Sequence, residues 1–295
     1  MLELSNVNTF IGRRKIINNV SFTVKDGSVV GLIGPNGAGK TTIMKTILGL
    51  TKFTGVITLN GKEITENNHS PLTKVGALIE HPAIYPFLTG LENLKLYSSN
   101  KIDMMNIVEQ LKMNAYIDLK AKGYSLGMKQ KLGIAIALLN KPRLVILDEP
   151  MNGLDIEATI LVRKIIKQYS SSGTSFLISS HILGELEKVM TAVVLISDGR
   201  VITNCSIEEF EKINNQQYQL YTENMPKTLQ SLNDYNINFS QSSNHIVVSR
   251  GALSSIQKIL YQNNILLLEL KLQQPSFEDL VVTSLKNHRG SQDEK

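Results

Sequence analysis

Residues Gly34-Pro35-Asn36-Gly37-Ala38-Gly39-Lys40-Thr41-Thr42 decide how this chain is read. The apolar run Val29–Ile33 leads into them, and Thr41–Leu50 follows with apolar residues at helical spacing (Ile43, Ile47, Leu50). Gly34, Gly37 and Gly39 lack a Cβ, so the backbone can turn tightly and aim its N–H groups at phosphate oxygens. The loop sits at a helix N-terminus, where free amides and the helix dipole favour an anion. In such a loop Lys40 reaches the β- and γ-phosphates and the Thr41 hydroxyl holds Mg²⁺. The pattern arises by chance in roughly one chain of this size in a hundred, and a strand before it with a helix after it lowers that further. The segment is expected to bind a nucleotide.

Working outward, the first 25 residues alternate as half-buried strands do (Leu2/Leu4, then Val20/Phe22/Val24). Gly55–Ile64 is expected to form a hairpin about a type I′ turn at Asn60-Gly61, and Asp198-Gly199 repeats the device within Val193–Ile202. Leu144–Leu147 is a fully apolar strand end and Phe176–Ser179 another buried strand, followed in turn by helical spacing over Ile156–Ile166 and Ile182–Met190. Central parallel strands with an antiparallel edge indicate an α/β nucleotide-binding core. Thr89 to Leu139 is expected to be mainly helical, as a subdomain set between phosphate loop and later motifs. Beyond about Gln216 the texture turns to Asn, Gln and Ser, and a βαββαβ order follows. Its elements are expected at Tyr218–Thr222, Pro226–Leu232, Ile237–Phe239, Ile246–Val248, Leu253–Gln262 and Ile265–Leu270. A final helix is placed at Phe277–Leu285, with a frayed tail at Asn287–Lys295. The order suggests a small ferredoxin-like appendage over residues 216–295.

Composition narrows the class. Of 295 residues, 42% are hydrophobic and 19% charged, and no run approaches the ~18 apolar residues of a membrane-spanning helix. The start lacks a basic then apolar leader pattern, so secretion is not expected. The single Cys205 excludes an intramolecular disulfide and fits a reducing compartment. The net charge of +5 is scattered rather than striped, and Trp is absent, so no nucleic-acid partner is expected.

Three further sites carry chemistry. In Leu144–Pro150 an apolar strand delivers Asp148 to the sheet edge, where it can help hold Mg²⁺. Glu149, beside it, can orient a water and accept its proton. His181 ends the next buried strand, and open α/β sheets bind ligands at such carboxyl ends, so a γ-phosphate-sensing role is expected. Tyr124–Gln130 (YSLGMKQ) opens an apolar helix that Ser125 can cap, while Gly127 permits close backbone approach. That geometry also suits a phosphate.

Taken together the set resembles the ATP-binding subunit of an ABC transporter. GPNGAGKTT is similar to Walker A, YSLGMKQ to the family signature and LVILDEP to Walker B. Asn152-Gly153-Leu154-Asp155 resembles the D-loop, and Ser180-His181 the switch histidine. The resemblance covers about residues 1–215. It implies a P-loop NTPase core of α/β class with an antiparallel β subdomain and a helical subdomain, plus the small α+β appendage. It implies ATP and Mg²⁺, and a head-to-tail pair of such domains with each ATP between one phosphate loop and the other signature. Ser125 and Gly127 would then meet the γ-phosphate in trans, and Asp155 would lie across the interface. Separate membrane permease subunits are the further implied partners, with the chain at the cytoplasmic face of the membrane.

The sequence departs from the family pattern in three places. Leu126 and Met128 stand where the signature has Gly and Gln. The adenine-stacking aromatic should fall near residue 11, which is Ile11 with Phe10 beside it. Glu80, in Ile79-Glu80-His81-Pro82, replaces the Gln of the loop joining core to helical subdomain; it keeps an oxygen ligand for Mg²⁺ but adds charge and loses an amide donor. Glu80 and the signature variant together resemble ATPases of lantibiotic self-immunity and bacitracin-resistance exporters. The ending Gln274–Leu280 is similar to the C-terminal helix of the wider drug and peptide exporter branch. A soluble ATPase of this family acting on DNA or ribosomes, a silent regulator and an importer ATPase stay open. The chain has neither the long coiled-coil insertion of the DNA-repair type nor the second cassette of the ribosomal type.

Overall fold

In the computed structural model the described residues are 1–214, 217–273 and 275–293. The chain divides into two compact units, Met1–Ile207 and Glu208–Lys295. The 215/216 boundary expected from the sequence lies outside the described residues, and the helix before it straddles the division.

Strands β1 (Leu2–Ile11) and β2 (Arg14–Val24) pair antiparallel, as their alternation predicts. Three register shifts interrupt the pairing, and Asn6 (φ 52) and Asn19 (φ 54) lie in left-handed backbone at two of them. The shift at Asn6 explains why the buried set of β1 passes from Leu2 and Leu4 to Val7 and Thr9. Strand β3 (Val29–Ile33) feeds the glycine loop and then helix α1 (Lys40–Ile47). Strands β4 (Phe53–Leu59) and β5 (Lys62–Glu63) complete the first sheet in the order β2-β1-β4-β5, joined at Asn60 (φ 51) and Gly61 (φ 74) as a type I′ turn requires.

Next come β6 (Val75–Leu78), α2 (Gly90–Lys95), α3 (Lys101–Gln110) and α4 (Leu126–Leu138). The helical stretch is thus three separate helices, each started by a side-chain cap: Thr89 in a capping box with Glu92, Asn100 and Ser125. Strand β7 (Leu144–Asp148), helix α5 (Ile156–Ser171), strand β8 (Ser175–Ser179) and helix α6 (Leu183–Glu187) follow. Helix α6 is shorter than its apolar spacing suggests. A hairpin of β9 (Ala192–Ser197) and β10 (Arg200–Ser206) turns at Asp198 and Gly199.

The central sheet runs β10-β9-β3-β8-β7-β6, parallel throughout except for β10. Every residue of β3, β7 and β8 is buried, which is why these strands read as apolar runs rather than alternating ones. Helix α1 contributes Ile43, Met44 and Ile47 to one cluster with Leu4 and Ile57 of the antiparallel sheet and Leu32 and Ile146 of the central one. That packing fixes where the loop before α1 can lie. Helix α4 comes close against β6: a Cβ on Gly76 would meet the Ala137 carbonyl oxygen at 1.7 Å. Nearer its start, a Cβ on Gly133 would meet Pro82 at 2.8 Å. Neither position has room for a side chain.

The second unit holds α7 (Ile207–Asn214), β11 (Gln217–Thr222), α8 (Met225–Asp234), β12 (Phe239–Gln241), β13 (Ile246–Ser249), α9 (Leu253–Gln262), β14 (Leu267–Leu272) and α10 (Phe277–Asp293). From β11 to β14 the order is βαββαβ, in an antiparallel sheet β12-β13-β11-β14. Leu220, Leu232, Ile246, Val248, Ile256 and Ile259 form its own core. Three expectations are corrected, one being β14, which begins at Leu267 rather than Ile265. Strand β12 begins at Phe239 rather than Ile237, because Ile237 packs inward from the turn before it. Residues 287–293, expected to fray, continue α10. Gln274, the first residue of the exporter-like ending, lies outside the described residues.

Candidate functional site

The glycine loop, α1 and the carboxyl end of β7 enclose a cavity of about 550 Å³. Asn36, Gly37, Gly39, Lys40, Thr41, Thr42, Glu80, His81, Asp148, Glu149 and Asn152 line it, with Ile16 from β2. Gly39 takes φ 103, a conformation that L side chains rarely adopt, and this lets the loop enter α1 without a side-chain cap. The first N–H groups of the helix are therefore free for an anion. Lys40 Nζ donates to the carbonyls of Gly34 (2.7 Å) and Pro35 (3.1 Å). Burial lowers the pKa of Lys40, and the Glu149 and Asp148 carboxylates oppose that shift.

The acidic side is tightly organised. Thr41 Oγ1 donates to Asp148 Oδ2 at 2.7 Å, joining residues 107 apart in sequence. The Ser179 hydroxyl donates to the other Asp148 oxygen, and Asp148 is buried. A buried carboxylate facing a hydroxyl at a pocket wall offers the hard oxygen donors that suit Mg²⁺. Glu149 sits in left-handed backbone at φ 52, a conformation that costs of order 1–3 kcal/mol for a residue with a side chain. Its neighbours hold it there. Its N–H donates to Ser179 O (3.2 Å) and Oγ (3.1 Å), and Gln130 Nε2 donates to its carbonyl at 3.1 Å. Glu149 Oε2 accepts from the His181 backbone N–H (3.1 Å) and lies 2.6 Å from His181 Nδ1.

Glu80 is also left-handed, at φ 58, and its Oε1 pairs with Lys45 Nζ at 2.7 Å. Lys45 lies on α1, one turn beyond Thr41. The cavity therefore brings together Lys40, Thr41, Asp148, Glu149 and Glu80, with His181 attached through Glu149. It does not bring in Ser125, Gly127 or Asp155. Ser125 caps α4 by accepting from Met128 N–H, and Asp155 caps α5 by accepting from Ala158 N–H at 2.7 Å. Gly127 faces the Gly153 carbonyl, 3.2 Å from where a Cβ would sit.

Sequence reasoning missed several residues. Ile16, not Phe10 or Ile11, reaches the cavity; Phe10 is 46% exposed with Lys15 Nζ 5.9 Å from its ring centre. An isoleucine carries no sign of such a place. Ser179 and Gln130 were also missed, although a buried Gln in an apolar helix signals a waiting partner. Lys45 gave no sign in sequence.

A family model described as "ABC transporter" matches residues 17–152. Over 295 residues the chain is 31% identical to the bacitracin transport ATP-binding protein BcrA of Bacillus licheniformis, covering 96% of each. It is 40% identical over 207 residues to the lantibiotic transport ATP-binding protein SrtF of Streptococcus pyogenes, covering 68% of this chain and 89% of that one. A solved ATP-binding subunit of an ABC transporter superposes with a TM-score of 0.67 at 28% identity, covering 72% of this chain and 92% of that one. The chain belongs to the ABC transporter ATP-binding proteins, and its ATPase activity is coupled to transport. Among the described residues no helix is long and apolar enough to cross a membrane.

Proposed function

We propose that this chain powers a separate membrane permease that expels an antimicrobial peptide or a hydrophobic drug. The observation that carries the reading is Glu80, a carboxylate in left-handed backbone at the cavity wall. The names of BcrA and SrtF support the same class of cargo.

In this reading the free N–H groups at the start of α1 and Lys40 grip the phosphates of ATP, and Lys40 exchanges its two loop carbonyls for phosphate oxygens. Thr41 and Asp148, with Glu80 on the same cavity wall, would hold Mg²⁺, which would supply positive charge against the phosphates. Among the described residues no group of three or more His, Cys, Asp or Glu side chains is placed to hold a metal ion, so the remaining ligands would come from phosphate and water. Glu149 orients the attacking water and takes its proton, while His181 steadies that carboxylate and reports on the γ-phosphate. Ser125, Gly127 and Asp155 stand apart from the chain's own cavity, which supports their service to a second copy bound head to tail. Binding of two ATP closes that pair and hydrolysis reopens it. The loop from Glu80 to Leu88, with exposed Tyr85 and Phe87, passes the motion to the permease. The chain works at the inner face of the membrane, and residues 216–295 form a ferredoxin-like appendage.

The test is a host strain lacking this gene, challenged with lantibiotics, bacitracin and lipophilic drugs. Lowered tolerance, restored by the parent gene and not by Glu149→Gln, is expected. Unchanged tolerance to every compound, or co-purification with ribosomes rather than membranes, overturns the reading.

A further inference from the structure

Strand β14 ends one side of the C-terminal sheet: β11 pairs with it on one edge, and no described strand pairs with the other. Gln273 N–H donates to the Gln217 carbonyl at 2.9 Å, which makes these two a hydrogen-bonded pair. Alternation along the strand then turns the backbone groups of Lys271 and Glu269 toward β11. Those of Leu272 and Leu270 point away, into the open edge; a bulge between Glu269 and Leu267 ends the simple alternation there. Natural edges are usually guarded by a charge, a proline or extreme shortness. This one is apolar, with Leu268 60% and Leu272 47% exposed. Its two charged residues, Glu269 and Lys271, have opposite signs and bridge each other at 2.9 Å, so the edge repels nothing.

We propose that β14 pairs antiparallel with β14 of a second copy of this chain, about a two-fold axis at Leu270. In that register Leu270 meets its counterpart through outward-pointing backbone groups, which give two ladder bonds, and Leu272 lies beside the partner's bulge at Leu268. Glu269 faces the partner's Lys271, and Lys271 the partner's Glu269. These fall in the non-hydrogen-bonded positions, where facing side chains approach most closely. Leu272, which shares the face of the core-packed Leu270, is covered by the pairing.

The same residues set the register. Sliding by the smallest step that keeps outward groups facing one another places Glu269 opposite Glu269, or Lys271 opposite Lys271. Either slip opposes like charges, so the strand is complementary to itself in one alignment. One strand pair buries less than the roughly 1,000 Å² of a self-sufficient interface. The contact is therefore weak by itself, and self-association is expected only at high, sub-millimolar protein concentration. It does not rest on the reading of the nucleotide site.

The experiment is sedimentation equilibrium of the full chain without nucleotide. Glu269→Lys sets Lys against Lys at both paired positions, and Lys271→Glu sets Glu against Glu. Each is expected to weaken self-association by about tenfold. Both positions are half exposed, so folding should be unaffected and thermal melts will check it. A mixture of the two variants restores both opposite-charge pairs and should associate as the parent does. A parent chain that stays monomeric at sub-millimolar concentration, variants that associate as well as the parent, or a mixture that does not recover would each overturn the proposal.

Discussion

With Glu149 as the proposed general base, its replacement by glutamine should separate chemistry from binding. The carboxylate has two ties to His181, the backbone N–H at 3.1 Å and Nδ1 at 2.6 Å, both to Oε2. Glutamine keeps the shape and one acceptor oxygen, so the backbone tie can persist. The left-handed backbone at Glu149 is held by Ser179 and Gln130 through main-chain groups, which the substitution leaves alone. Lost are the charge and the capacity to take a proton. General-base catalysis contributes about 10²–10⁴ in rate, or roughly 3–5 kcal/mol of barrier. ATP affinity should hold or tighten, because one negative charge leaves the neighbourhood of the phosphates. Glu149→Asp retains the charge but shortens the reach to His181, and should fall between the two. Phosphate release under saturating ATP, with equilibrium binding of ATP measured in parallel, gives both numbers. Turnover of Glu149→Gln within tenfold of the parent at unchanged affinity would refute the assignment and move the proton acceptor elsewhere.

Other consequences follow from neighbouring groups. Lys45→Met leaves Glu80 uncompensated beside the phosphates, and the Mg²⁺ concentration for half-maximal ATPase should shift several-fold; Glu80→Gln in the same chain should cancel the shift. Since this ion pair is partly exposed, its loss should change the melting free energy by less than about 1 kcal/mol. Phe176→Ala, at a fully buried strand position, should cost about 3–5 kcal/mol in a denaturant titration. Burial pushes the Tyr116 phenol up to about 12. Its unfolded value lies near 10, so the native state holds its proton more tightly. The contribution is full below pH 10 and is lost as pH rises towards 12. Tyr116→Phe should remove that part of the alkaline decline in stability, read from melts across this range.

Local rules made much of this legible. The turns at Asn60-Gly61 and Asp198-Gly199 were readable because both positions need left-handed backbone, which these residues tolerate. Helix α9 was read to the residue, since Ile256, Ile259 and Leu260 mark one buried face. Strands β7 and β8 announced themselves through the apolar runs Leu144–Leu147 and Phe176–Ile178. The bulges at Asn6 and Asn19 were not readable, because an inserted residue is visible only against its partner strand. In the cavity, residues in the contiguous motifs were legible while their cross-chain supports were not. Lys45 meets Glu80 across 35 residues, and Ser179 meets Asp148 across 31. Those partners are chosen by sheet order, which no local pattern encodes. Ile16 shows the limit most plainly, as an ordinary strand residue whose place depends on how two sheets close.

The close fit of α4 has a mechanical consequence. With Gly76 against Ala137 at one point and Pro82 against Gly133 at another, the helix is gripped just before and just after Glu80 in the chain. Any displacement of Glu80 must carry the helix with it, as a lever turns on its clamp. From Gly133 to Ser125 the arm is about 12 Å, so a tilt of about 5° moves its far end by about 1 Å. That is enough to make or break a hydrogen bond to a phosphate. In the proposed head-to-tail pair, a carboxylate settling on one ATP would thus set the aim of the helix that serves the other, with steric contact as the linkage and no relay of charges between them.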